Sequence, residues 1–393
     1  MAVDITAIQK ALGEDGLDGW LLYDFHGSNP IARQVVKLNA TAKFTTRRWY
    51  YLIPSRGEPR ALVHVIERDS LDHLPGTRRL YASRTALADG VRMLVTGLKR
   101  VAMEHSPNCA IPYVSRVDAG TVDHVRSLGI DVVSSGDLVQ RFEAVWDDTQ
   151  LDDHREASKR LHRIKDRAFQ HIAERLRGGA ATTEYDVQQT MAGWFVDEGL
   201  ITDSPPVVAS QASSGNPHYL PTEARCRVIG PDEIVLLDLW GKLDKPGSVF
   251  ADITWMGYAG ARVPKEYATV FGVACEARDA AITLVRNRVQ SRQEIRGWEV
   301  DRVARSLIDR AGHGPQFVHR TGHSLGEDVH GNGVHMDDYE THDERRLLAG
   351  TGFTIEPGIY FDAFGVRTEV NVHVGATDVT VTGPRQSEIV TLG

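Results

Sequence analysis

The chain has 393 residues, of which 41% are hydrophobic and 25% charged, a balance that predicts two soluble globular domains rather than one. The net charge of −8 gives no basic footprint for nucleic acid or an anionic membrane, and no run of about 18 apolar residues predicts a membrane span. Three cysteines without CxxC spacing and an N-terminus lacking an apolar signal core predict a reducing, cytoplasmic setting.

Residues 1–150 alternate short apolar runs with helical patterns, which predicts an α/β domain. Gly19–Tyr23, Trp49–Ile53, Ala61–Ile66, Val101–Glu104 and Ile130–Val133 read as strands. The segment Pro54–Pro59 reads as a hairpin connection, and Ala119–Leu128 as a helix stopped by Gly129. The histidines here are scattered and point to no site. The domain boundary is expected near Asp147–Gln150. A long amphipathic helix follows, with Leu161, Ile164, Ala168, Ile172 and Leu176 at three- and four-residue steps and Gly178-Gly179 as its stop. Thr183 is placed to cap a second helix that closes at Gly199. Strands are expected at Val207–Ala209, Glu233–Trp240 and Val249–Trp255, the last two joined through Asp244-Lys245-Pro246-Gly247. A helix from Pro264 to about Val289, another from Trp298 to Ala311, and strands carrying Val318–Val370 then repeat the order. Two helices followed by strands, twice over, predict an internal duplication of about 110 residues within 151–393.

Three clusters carry chemistry. Asp238 and Asp252 interrupt apolar strand patterns on either side of a turn, where two antiparallel strands could set both carboxylates toward one metal pair. The segment Gly322-His323-Ser324-Leu325-Gly326 has His319 before it and His330 after it, and six of the sixteen histidines fall between His313 and His342. The segments Ile355-Glu356-Pro357-Gly358 and Val366-Arg367-Thr368-Glu369-Val370 each place a Glu in an apolar context. Two Asp, two Glu and one His form an oxygen-rich ligand set. Such a set suits Mn²⁺, or Co²⁺, better than a structural Zn²⁺ site does, although Zn²⁺ stays possible.

In this order the motifs resemble the pita-bread metallopeptidases, which include Xaa-Pro dipeptidase (prolidase), aminopeptidase P and methionine aminopeptidase, with creatinase as a metal-free relative. The resemblance implies an α/β N-terminal domain followed by an α+β pita-bread catalytic domain with a pseudo-twofold repeat, usually as a homodimer. It implies two divalent metal ions per chain on Asp238, Asp252, His323, Glu356 and Glu369. A bridging hydroxide attacks the scissile carbonyl, Glu356 shuttles the proton, and His218 and His330 stabilise the transition state. His319 lines the pocket for proline, and Arg367 orients ligands. The substrates implied are small peptides with proline in second position. The sequence departs from the family at three points. Asp238 and Asp252 are fourteen residues apart, three more than is usual. Val249 stands where Tyr is common, and Trp255 where Arg is common. No residue matches the substrate-carboxylate arginine of prolidases, for which His342, Arg345 and Arg346 are in the right region. An Xaa-Pro dipeptidase is the leading expectation. Aminopeptidase P, a creatinase-like enzyme without metal and a non-catalytic binding relative are the alternatives, the last two disfavoured by the intact ligand set.

Overall fold

A computed structural model describes residues 3–38 and 45–393. The chain divides into two compact units, Met1–Glu143 and Ala144–Gly393. The residues expected near the boundary lie at the start of the second unit and have a local task there. Asp147 accepts from the Gln150 amide, and the Gln150 side chain accepts from the Asp147 amide, a capping box that opens the next helix.

The first unit comprises α1 (Ile5–Glu14), β1 (Gly19–Asp24), α2 (Pro30–Val35), β2 (Trp49–Pro54), β3 (Arg60–His64), β4 (Thr77–Tyr81), α3 (Arg84–Val95), β5 (Arg100–Met103), α4 (Ala119–Ser127), β6 (Asp131–Ser134) and α5 (Gly136–Val139). The strands form one mixed sheet in the order β4-β3-β2-β1-β5-β6. Alternation along β1 sends Trp20 and Leu22 into a core with α1, α2 and α5, and Leu21 and Tyr23 into a second core with α3 and α4. Both faces are therefore covered, which is why β1 reads as an unbroken apolar run. The strand expected over Ala61–Ile66 ends at His64, whose ring accepts from the Ile66 amide and turns the chain into a short 3₁₀ segment.

The second unit opens with α6 (Asp148–Arg177) and α7 (Glu184–Asp197), then β7 (Leu200–Ile201), β8 (Val207–Ser210), β9 (Ile234–Leu243) and β10 (Ala251–Tyr258). The order repeats with α8 (Lys265–Gln290), α9 (Gly297–Arg310), β11 (Ser324–Leu325), β12 (Gly352–Ile355), β13 (Gly358–Tyr360), β14 (Gly365–Arg367), β15 (Val370–Val374), β16 (Val379–Thr382) and β17 (Val390–Thr391). One sheet runs β17-β10-β9-β7 with β8 on β9; a second runs β11-β12-β15-β16; β13 and β14 form a hairpin. This is the expected order of two helices followed by strands, twice over. Among the described residues no helix is long and apolar enough to cross a membrane.

Alternation on β9 and β10 places the site. Val235, Leu237, Leu239, Ala251 and Ile253 pack against Leu161, Ile164, Ala168 and Ile172 of α6. Ile234, Leu236, Met256 and Tyr258 point the other way, into the core built with α8, α9, β12 and β15. Asp238, Asp252 and Thr254 share that second face, because side chains two apart on a strand lie on one side. One expectation fails between the two sheets. Residues 326–351 contain no strand beyond isolated bridges and run as an irregular, carboxylate-pinned segment.

Candidate metal centre

Asp238 lies opposite Thr254 across the β9–β10 ladder, and Asp252 lies opposite Trp240. The two carboxylates are thus diagonal neighbours on one face. The extra turn length does not disturb this register. Beyond Gly241 strand β9 leaves β10 and pairs with β7 through Lys242 and Leu243, so the added residues lie past the carboxylates. Glu369 occupies the break between β14 and β15, where its amide donates to Thr254 O at 3.4 Å. Glu356 occupies the break between β12 and β13, its amide donating to Thr321 O at 2.7 Å.

His323 precedes β11. Gly322 makes this possible, since a Cβ there would sit 1.9 Å from Thr354 O. The His323 amide donates to Thr354 Oγ1 at 2.9 Å, and that hydroxyl donates to Glu356 Oε1 at 3.1 Å. The ring Nδ1 lies 3.2 Å from Ser324 O, an acceptor, so Nδ1 carries the proton and Nε2 presents a lone pair. That lone pair faces Asp252 Oδ2 at 3.5 Å and Glu356 Oε1 at 3.4 Å. Acceptors facing acceptors are stable only with a proton or a metal cation between them.

Further observations fit the same requirement. Ligand atoms of Asp252, His323 and Glu369 all lie within 4.8 Å of one another. Asp252 Oδ1 and Glu369 Oε1 are buried and have no hydrogen-bond partner. Burial pushes both carboxyls well above the usual range, with the neighbouring carboxylates adding to it. Burial also pushes Asp238 up, although Arg367 opposes it, while the imidazoles of His323 and His319 and Arg367 hold Glu356 below its ordinary value against its own burial. Arg367 brings a guanidinium into direct contact with one of these carboxylates. Its Nη2 pairs with Asp238 Oδ2, and its Nε donates to Thr254 Oγ1 at 2.9 Å. The Thr254 hydroxyl in turn donates to Glu369 Oε2 at 2.7 Å. A buried group with this excess of negative charge has the chemistry that a divalent cation would satisfy. Asp238, Asp252, His323, Glu356 and Glu369 are the residues that would hold the ions.

The remaining predicted residues fall into two groups. His319 joins the cluster: its Nδ1 donates to Arg320 O at 2.7 Å, and its Nε2 accepts from the Tyr360 hydroxyl at 2.9 Å. Burial pulls its pKa to about 4, so it stays neutral. His330 is exposed and meets the His323 ring edge-on at 4.4 Å. His218 is exposed on the segment whose Pro217 O lies 3.4 Å from Arg367 Nη1. That segment sits close to the β13–β14 hairpin, where Gly215 admits Phe361 O at a distance no side chain tolerates. His342 and Arg345 are not brought to the cluster. His342 stacks on Trp298 at 5.3 Å and pairs with Asp338 at 2.5 Å. Arg345 grips Asp343 through two bonds of 2.9 and 2.6 Å and donates to Asn332 O at 3.0 Å.

Other residues emerge only here. Tyr360 brings a phenol between His319 and Arg367, its Oη 3.4 Å from Arg367 Nη1, and burial pushes its pKa up to about 12. Val249, by contrast, is sealed in an apolar cluster with Trp146, Phe250 and Leu325. Trp255 points to the α6 side of β10, under Lys165 at 3.8 Å. Arg278 of α8, 2% exposed, donates to Thr368 Oγ1 and to Gln386 O, both at 2.7 Å, and so fixes the residue between Arg367 and Glu369. Asp301 of α9 accepts from the Thr321 amide at 2.9 Å and hydroxyl at 2.6 Å, behind both His323 and Glu356. The periodicity of α8 and α9 offered a weak signal for Arg278 and Asp301, as charged residues on otherwise apolar faces.

Residues 156–376 match metallopeptidase family M24. The chain is 29% identical over 244 residues to "Probable dipeptidase PepE" of Mycobacterium tuberculosis, covering 62% of this chain and 59% of that protein. It is 31% identical over 176 residues to an Xaa-Pro dipeptidase of Lactobacillus helveticus, covering 44% and 43%. The aligned stretch thus spans well under two thirds of these relatives' lengths. The crystal structure of dipeptidase PepE from Mycobacterium ulcerans superposes with a TM-score of 0.70 at 22% identity, over 99% of this chain and 96% of that one, a likeness of fold.

Proposed function

The chain belongs to metallopeptidase family M24, and we propose that within it the protein is a two-metal Xaa-Pro dipeptidase. The observation that supports this most is the His323 lone pair set against Asp252 and Glu356, with unpartnered oxygens on Asp252 and Glu369 alongside. Two divalent cations, Mn²⁺ first, bound there would acidify a water and polarise the scissile carbonyl. Glu356, whose carboxylate is favoured in its ionised form by nearby Arg367, accepts the proton of the attacking water and delivers it to the leaving nitrogen. His330 at the exposed edge and His218 on the opposing segment donate to the carbonyl oxygen as charge develops there. His319 is held neutral by its burial, its ring is fixed by Tyr360 and Arg320 O, and it presents an apolar ring edge suited to proline. Arg367 pairs with Asp238, opposing the rise that burial imposes on its pKa, and through Thr254 fixes Glu369.

The proline preference is what the family resemblance implies. An Xaa-Pro amide has no N–H, so the site must work by gripping the carbonyl and the ring. A second reading, an aminopeptidase P acting on longer peptides, is favoured by one observation: the Arg345 guanidinium is already spent on Asp343 and Asn332, leaving it no edge for a dipeptide carboxylate.

The test is to remove metal with a chelator, restore Mn²⁺, Co²⁺ or Zn²⁺ singly, and measure release from Xaa-Pro dipeptides, Xaa-Pro tripeptides and creatine. Metal-restored cleavage confined to dipeptides supports the first reading, and cleavage extending to tripeptides moves it to the second. Two bound ions with no cleavage of either peptide class sinks both.

A further inference from the structure

The six-stranded unit carries a concentration of charge that the peptidase reading leaves unused. A cavity of about 210 Å³ there is lined by Arg47, Arg48, Arg84, His64 and Ser83, with the rings of Phe25 and Tyr81. No carboxylate lines it. Among the described residues Arg48 and Arg84 make no ion pair, and Arg47 Nη1 donates only to the neutral Thr46 hydroxyl, at 2.9 Å. Glu67, on the adjoining turn, is occupied: it accepts from the Thr46 amide and hydroxyl at 2.7 and 2.6 Å and from the Arg47 amide at 3.0 Å. Three like-charged guanidiniums around one concavity repel one another. In a chain of net charge −8 their convergence is not a by-product of a basic surface.

The backbone adds donors at the same place. Ser83 caps α3, a twelve-residue helix with no acid in its first turn. Its hydroxyl accepts from the Ala86 amide at 3.1 Å, which leaves the amides of Arg84 and Thr85 without an acceptor among the described residues. A helix start of this kind attracts anions. His64 Nδ1 accepts from the Ile66 amide at 3.2 Å, so the proton of the neutral ring is on Nε2, a further donor. Tyr81 anchors the wall by donating to Arg48 O at 2.8 Å, and Phe25, 44% exposed, forms an apolar lip.

We propose that this cavity binds a phosphoryl oxyanion. Three guanidiniums, an imidazole N–H and the Arg84 amide exceed what the two oxygens of a carboxylate can accept, and they match the charge of −1.5 to −2 and three or more acceptor oxygens of phosphate or a phosphate monoester. The space left over and the Phe25 lip suit a small group attached to the phosphate.

Calorimetric titration of the metal-loaded protein at fixed ionic strength, with inorganic phosphate, ribose 5-phosphate and acetate in separate runs, tests this. The same titrations on an Arg48→Gln/Arg84→Gln double variant, checked for unchanged metal content and melting temperature, separate this cavity from the metal ions as the anion's site. The expected result is saturable binding of one phosphate or monoester per chain, weakened at least tenfold in the double variant. Tighter binding of the monoester identifies an attached group as part of the ligand, and equal or weaker binding identifies the free ion. No saturable binding of either phosphate, affinity unchanged in the variant, or acetate binding as tightly as phosphate would each overturn the proposal. An Arg47→Gln variant supplies the second comparison if the double variant does not fold.

Discussion

Glu104 and Asp252 are both carboxylates sealed from solvent, and they differ in what faces them. Glu104, 0% exposed on the six-stranded unit, accepts from Trp20 Nε1 at 2.6 Å, Asn29 Nδ2 at 2.7 Å and Ser135 Oγ at 3.0 Å. Burial raises its pKa, and three neutral donors oppose the rise. Asp252, 5% exposed, faces Asp238, Glu356 and the His323 lone pair, and its Oδ1 has no partner. Burial alone therefore does not mark a site. A satisfied buried acid ties strands together, whereas an unsatisfied one among other acids is waiting for a cation.

Exchanging charge at the two places should separate them most widely at the metal centre. Asp252→Asn is expected to lower peptide cleavage by on the order of 10³-fold or more, because the cations supply several kcal/mol to the transition state. Bound metal per chain, read by elemental analysis, should fall with it. Retention of both metals and activity would mean that Asp252 is no ligand. Next in size is Arg278→Met, which leaves every ligand in place but frees Thr368 beside Glu369. Metal affinity should drop about 10- to 100-fold, the usual cost of losing an outer support. An unchanged affinity with only a lower melting temperature would reduce Arg278 to a core residue.

On the satisfied side, Glu104→Gln sets an amide N–H against one of three donors. It should cost about 1–3 kcal/mol of unfolding free energy while activity per folded molecule stays as it was. A large loss of activity at unchanged stability would break the comparison. The smallest effect concerns His154, fully buried on α6 between Phe250 O at 2.8 Å and the Thr382 hydroxyl at 2.7 Å. Burial depresses its pKa to about 4. The unfolded chain then binds the extra proton first, so stability is full above about pH 6.5 and declines as pH falls toward 4. One such histidine accounts for about 1 kcal/mol between pH 7 and pH 5.5. Denaturant melts at the two pH values should lose that increment in His154→Gln.

The local devices were readable from residue order. Helix α6 follows the 3.6-residue spacing of its apolar residues, α7 begins at the Thr183 cap, and the unbroken apolar runs of β1 and β2 announced strands. The alternation of Asp238 and Asp252 with leucine, valine and isoleucine placed both on one face of a hairpin. Each of these signals is carried by neighbours within a few residues, so one chain shows it without a partner.

Contacts between distant segments were not readable. Residues 326–351 take their course from carboxylates that bind backbone amides. Asp337 accepts from the Tyr339, Glu340 and Thr341 amides, Asp343 from those of His335 and Arg345, and Asp301 on α9 from that of Asp338. No periodicity encodes such a path, which is why His342 and Arg345, near the centre in sequence, are engaged elsewhere, while Tyr360 and Arg278 reach it. The sequence by itself determined which residues could hold metal and which face of β9 and β10 they occupy. Only the tertiary structure decided which oxygens are left without a donor, because that depends on every group that packs around them.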